Sequence, residues 1–300
     1  MNRATLLLLM VLAGAVQAQP APQQTESITV TGARSRQVIQ GFVQSFAAPT
    51  RRAGKLARWE DGVCPTTVGL KPVFAQFISQ RLKAVAAEVG APVNDRSGCK
   101  PNIEIVFTTN PQALMDNVRR KQADYLGYHD NSHQADDLAK VTHPIQAWYT
   151  TATRDLRGRP MIDSAALQGV GDQSNIQGDT SNLEFGASAV TGSRLGEGRR
   201  SSLYHVIIVA EPAKLADHEI GALADYIAML SLTQLSSLDA CQQLPSIVNM
   251  LAPGCGSKPA TLTDSDLGYL RGLYRMGADR TARTQQDEIA YQMQQTLAGK

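Results

Sequence analysis

The chain has 300 residues, 43 % of them hydrophobic and 5 % aromatic, with 29 Lys and Arg against 27 Asp and Glu and four cysteines. That length and apolar content can fill a real core and exclude a disordered chain. A net charge of +2, with no long block of Lys and Arg, is too weak for the field of a nucleic-acid protein, so that partner class is set aside.

Met1-Asn2-Arg3 is followed by a small and apolar run from Ala4 to Val16, and Val16-Gln17-Ala18 precedes Gln19-Pro20. One positive charge, a short hydrophobic stretch and small residues at −3 and −1 are the parts of a secretory signal peptide over residues 1–18. They predict cleavage after Ala18 and an exported protein, periplasmic or extracellular. The run is too short to span a bilayer comfortably and no other approaches ~20 apolar residues, which predicts no transmembrane segment. Residues 19–33 read as a flexible lead with a short strand, Ser27 to Thr31, closed by Gly32. In an oxidising compartment Cys64, Cys99, Cys241 and Cys255 predict disulfides. Four cysteines allow three pairings, and the local one, Cys64–Cys99 and Cys241–Cys255, asks least of the fold. A zinc site is the competing reading, but no Cys-x-x-Cys pair is present.

Residues 34–300 read as one α/β (α+β) domain with a mixed sheet and long helices. Val38, Ile39, Phe42, Val43 and Phe46 recur at helical spacing until Pro49, and the rest of 34–71 reads as a loop. Over 72–153 the chain predicts a helix opening at Pro72 and capped by Gly90, with Val73, Phe74, Phe77, Ile78, Leu82, Val85 and Val89 on one face. Strands follow at 102–108 and 145–150, with a helix opening at Pro111 between them. The segment 154–200 is rich in Gly, Ser, Asp, Asn and Gln and predicts a long polar loop, functional or mobile by its length. Leu203 to Val209 is a continuous apolar strand, 217–232 a helix, and further helices open at Thr263 and Thr284, where Asp266 and Asp287 three residues on resemble a capping box.

The chemistry-bearing motifs fail on spacing. His218-Glu219 lacks the second imidazole that a zinc-protease helix needs, since residue 222 is Ala. His129 and His133 have i,i+4 spacing but no adjacent Glu and no assignable third ligand. His143 and His205 read as structural, with His205 alternating onto the solvent face of its strand. Gly186-Ala187-Ser188-Ala189 has Val190 where a nucleophile elbow requires Gly, and Gly256-Ser257-Lys258 lacks the spacing of a phosphate loop. Ser27 to Arg34 matches the start of an outer-membrane receptor plug over eight residues only, with no barrel-length series of strands behind it.

The last third is more specific. An apolar strand (203–209), a helix ending Ala224-Asp225-Tyr226-Ile227-Ala228-Met229-Leu230-Ser231-Leu232, then Leu244-Pro245-Ser246-Ile247-Val248-Asn249 and Leu262-Thr263-Asp264-Ser265-Asp266-Leu267 follow in order. This resembles the metzincin zinc proteases, with an edge strand, an active-site helix, a Met-turn and a closing helix. It also resembles exported bacterial proteins that carry such a domain without its zinc ligands. On that pattern the first two histidine ligands fall on Ala224 and Ala228, the general base on Asp225 and the Met-turn methionine on Val248. No His lies between Ser231 and Leu251 to supply the third ligand. Methyl groups do not coordinate zinc, and without the metal Asp225 has no activated water to deprotonate. The resemblance therefore implies the scaffold of 201–300 without its catalysis: a pseudoenzyme with no metal, no cofactor and no catalytic residue, acting as a binding or structural module for a protein or peptide partner. The expected site is partly filled by apolar neighbours. The alternative is a hydrolase whose site involves His129, His133 and the loop 154–200.

Overall fold

The apolar run 203–209 demands burial on both faces, and it forms the middle of the sheet. The computed structural model describes residues 32–164 and 198–298, with side chains from Arg36 onward. Among the described residues six strands, β1 (Arg58–Trp59), β2 (Pro65–Val68), β3 (Ile103–Phe107), β4 (Ile145–Arg154), β5 (Pro160–Ile162) and β6 (Arg200–Ala210), form one mixed sheet. The order is β2-β3-β6-β4-β5, with β1 beside the start of β6. β6 runs parallel to β3 and antiparallel to β4, so it is central and not the edge strand that the metzincin pattern places there. Alternation along β6 sends Val206, Ile208 and Ala210 into the main core. Ile207 and Val209 join Trp148 in a smaller core on the opposite face.

The main core is closed by α1 (Gly32–Phe46), α2 (Pro72–Val89), α5 (Ile220–Leu232), α6 (Asp264–Arg275) and α7 (Ala282–Ala298). The other face carries α3 (Pro111–Lys121), a 3-10 turn over Ala123–Leu126 and α4 (Ser132–Leu138). α5 is buried on all sides from Ala222 to Leu232, which is why its sequence is apolar all round. It starts at Ile220 and not at 217, leaving His218 ahead of the helix. α2 has Pro72 in its first turn and ends on Gly90 at φ +84, as its sequence requires. Its apolar stripe, however, is buried only at Ile78, Leu82, Val85, Ala86 and Val89; Val73, Phe74 and Phe77 face solvent.

The expected loop within 34–71 holds β1 and β2, and the expected loop 154–200 holds the last residue of β4, all of β5 and the first residue of β6. α6 has the full Thr263/Asp266 capping box. α7 instead starts at Ala282, two residues before Thr284, whose N–H is taken by the Thr281 hydroxyl at 3.3 Å. The signal peptide expected over 1–18, the strand expected at Ser27–Thr31 and Gly186 to Ala189 lie outside the described residues. Cys64–Cys99 and Cys241–Cys255 are disulfides, with Cα atoms 6.2 and 5.5 Å apart. Among the described residues no helix is long and apolar enough to cross a membrane. The two disulfides fit an exported protein.

Candidate functional site

The four positions singled out by the zinc-protease pattern are packed shut. Ala224, Ala228 and Val248 have no exposed surface, and Asp225 retains 3 %. Asp225 is held from two sides: Arg81 Nε donates to Oδ1 at 2.6 Å, and the Leu262 N–H donates to Oδ2 at 3.0 Å. That hydrogen bond holds the Arg81 guanidinium above its ordinary range. The position expected to be partly filled is thus fully filled. A carboxylate in α5 that is this deeply buried must be satisfied by protein donors, and α2 and the segment before α6 supply them.

The segment aligned with the Met-turn is a 3-10 turn, Ile247–Met250, whose anchor is Asp266. This carboxylate, with no exposed surface, accepts from Ser246 Oγ (2.6 Å), Ile247 N (2.9 Å), Thr263 N (2.9 Å) and Thr263 Oγ1 (2.8 Å). Burial pushes its proton affinity up, and the Ser246, Thr263 and Ile247 donors pull against that. One side chain therefore ties the turn to the cap of α6.

The histidines do not converge. His129 Nδ1 lies 2.8 Å from Gly127 O, while His133 is exposed, 3.8 Å from Asp137. His143 Nε2 lies 3.0 Å from Asp239. No group of three or more His, Cys, Asp and Glu among the described residues is placed to hold a metal ion.

His205 does not reach the solvent face, because Tyr125 stacks on it at 4.5 Å between ring centroids. Its Nε2 is 3.2 Å from Glu104, and Nδ1 is buried without a partner. Burial holds the imidazole below its ordinary range, against the pull of Glu104. The unfolded chain takes up this proton first, so the stability tied to neutral His205 is present above about pH 6.5 and is lost as pH falls through that value. The urea midpoint is expected to drop between about pH 7.5 and about pH 5.5, and to drop less in His205→Phe, which keeps the stack on Tyr125. An equal drop in both proteins contradicts this.

The open feature lies elsewhere, along the outer edge of β4. β5 pairs only with Ala152, Thr153 and Arg154, leaving the outer side of Ile145–Thr150 without a strand among the described residues. Glu211 N donates to Pro144 O, so with this register Gln146, Trp148 and Thr150 bond inward to β6. Ile145, Ala147 and Tyr149 then present their backbone groups outward. Gly127, at φ +100, is packed against the Tyr149 carbonyl: a Cβ there would sit 2.9 Å from the oxygen. The edge borders a groove of about 560 Å³, flanked by Gly127, α4, Arg51 and Gln234. Gln234 Oε1 is buried and lacks a hydrogen-bond partner. β4 is legible in the sequence as a strand, but its uncovered side is not. It depends on where β5 stops, which no local pattern states. Comparison with protein-family models, with curated proteins and with solved structures finds no match to this chain.

Proposed function

We propose that the protein is an exported, non-catalytic binding module on a metzincin-like scaffold that has lost its zinc ligands, delivered by a signal peptide over residues 1–18, and that it takes an extended peptide along the outer edge of β4. The scaffold reading is supported by the order β6, α5, turn, α6 and by the cysteine bridge that flanks the turn. Its loss of catalysis is supported by the methyl groups of Ala224 and Ala228 and by the use of Asp225 as a packed ion-pair partner.

The observation that carries the binding reading is the uncovered edge at Ala147. An outward N–H and C=O pair beside a groove offers an extended chain main-chain hydrogen bonds, with pockets for alternate side chains.

Ala147→Pro tests this. Proline removes the outward donor, and its ring stands where the peptide backbone would lie, yet it breaks no bond to β6. With a fluorescent pool of short capped peptides, anisotropy is expected to report binding to the wild type and about tenfold or greater loss in Ala147→Pro, at unchanged far-UV circular dichroism. Peptides that bind both proteins equally would place the site elsewhere.

A further inference from the structure

We propose that the corner formed by the end of β2, the turn Gly69–Lys71 and the first two turns of α2 is a surface that enters the interface of a lipid bilayer. Eight large hydrophobic side chains are exposed among the described residues, and four lie here: Val68 at 50 %, Val73 at 65 %, Phe74 at 41 % and Phe77 at 42 %. Scattered exposed apolar residues are ordinary, whereas four within ten residues of one corner make a patch.

These side chains are not spare core. At 100° per residue, Val73 and Phe77 lie roughly 120–160° around α2 from the centre of the stripe Ile78, Leu82, Val85, Ala86 and Val89 that packs against the fold, while Phe74 lies at that stripe's N-terminal end and is still 41 % exposed. The corner is also firmly seated. Gly69, at φ +86, lies so close to the Phe107 carbonyl that a Cβ would fall 1.9 Å from its oxygen, and the Thr67 and Ser79 hydroxyls are 2.9 Å apart, joining β2 to α2. The stretch that carries the aromatic side chains is therefore anchored at both ends, by the Gly69 backbone and by the Thr67–Ser79 hydroxyl pair.

Charge selects the partner. From Gly62 to Gln80 the only charged side chain is Lys71, which is exposed. A carboxylate in this stretch would have to be desolvated against hydrocarbon, and the stretch carries none. A lysine can lay its stem along apolar surface and keep its ammonium at the headgroups, where anionic lipid complements it. A two-fold contact between copies would bring this stretch against itself, with no carboxylate in it to pair Lys71. With no membrane-crossing helix among the described residues, such contact is peripheral, made by a few inserted side chains.

The test is co-sedimentation of the full mature chain with vesicles of phosphatidylcholine alone and of phosphatidylcholine mixed with phosphatidylglycerol. The wild type is expected to bind both and to favour the anionic mixture. Phe74→Ser/Phe77→Ser is expected to lose about tenfold or more of that partitioning, because two half-exposed rings no longer enter the interface. Lys71→Glu should remove the preference for the anionic mixture alone. Unchanged circular dichroism is expected in all variants, with an unchanged urea midpoint in Lys71→Glu and a modest drop in the double variant, whose rings are partly buried. The proposal fails if the wild type sediments with neither vesicle, or if the double variant binds as well as the wild type. It also fails if sedimentation velocity shows self-association that the double variant abolishes while vesicles bind nothing, which would assign the corner to a second copy.

Discussion

Asp266→Ala is expected to lower folding stability by about 4 kcal/mol, the largest effect of any single substitution considered. Four donors end on this carboxylate, two of them the main-chain N–H groups of Ile247 and Thr263, and no water reaches it. Alanine leaves buried donors unpaired, each costing about 1–3 kcal/mol, and removes the capping box of α6 as well. Asp266→Asn should cost about half as much. Its carbonyl oxygen can still accept from the two main-chain groups, and its amide can donate to the Ser246 hydroxyl, which can turn to accept. Urea unfolding of the two variants measures the difference. A loss in Asp266→Ala below about 1 kcal/mol would mean that the turn Ile247–Met250 is not anchored through this side chain.

Replacing both members of a disulfide by serine is expected to cost about 4 kcal/mol for Cys64–Cys99, which closes a separation of 35 residues, and about 3 kcal/mol for Cys241–Cys255, which closes 14. The longer bridge also guards the pairing of β2 with β3. Cys64 N donates to Asn102 Oδ1 at 2.7 Å, and Asn102 N donates back to Cys64 O at 3.1 Å, immediately before the two strands run side by side. Chemical denaturation of the two double variants should rank them in this order. The reverse ranking would show that the shorter bridge, around the turn, carries more than its loop entropy.

What could be read from the sequence was local. α2 announces both its ends, through Pro72 in the first turn and Gly90 in the left-handed region. α6 announces its start through Thr263 and Asp266, and β6 through an apolar run too continuous for a half-exposed strand. β1, β2 and β5 are two to four residues long and exist because distant partners pair with them: Trp59 opposes Leu203, Val68 opposes Val106, and Met161 opposes Thr153. No window of sequence that short can signal such pairing. The zinc-protease positions illustrate the same boundary. The alanines at 224 and 228 show in the sequence that ligands are missing, but only the packing shows that Asp225 is held by Arg81. The stripe on α2 misleads for a related reason. Periodicity shows that apolar residues share a helix, whereas burial depends on how far the neighbouring elements extend, and they stop short of Val73, Phe74 and Phe77.

The central claim is that the working surface is the outer edge of β4 and not the closed position in α5. Residue-resolved amide hydrogen exchange, with and without the peptide pool, tests it most directly. Along β4 inward and outward amides alternate, so a bound strand should leave an alternating record. The amides of Ala147 and Tyr149 are predicted to slow when peptide is present, while those of Gln146 and Trp148, already bonded to β6, stay unchanged. Bound peptide with no protection at Ala147 and Tyr149, or with protection centred on Ala224 to Ala228, would contradict the account.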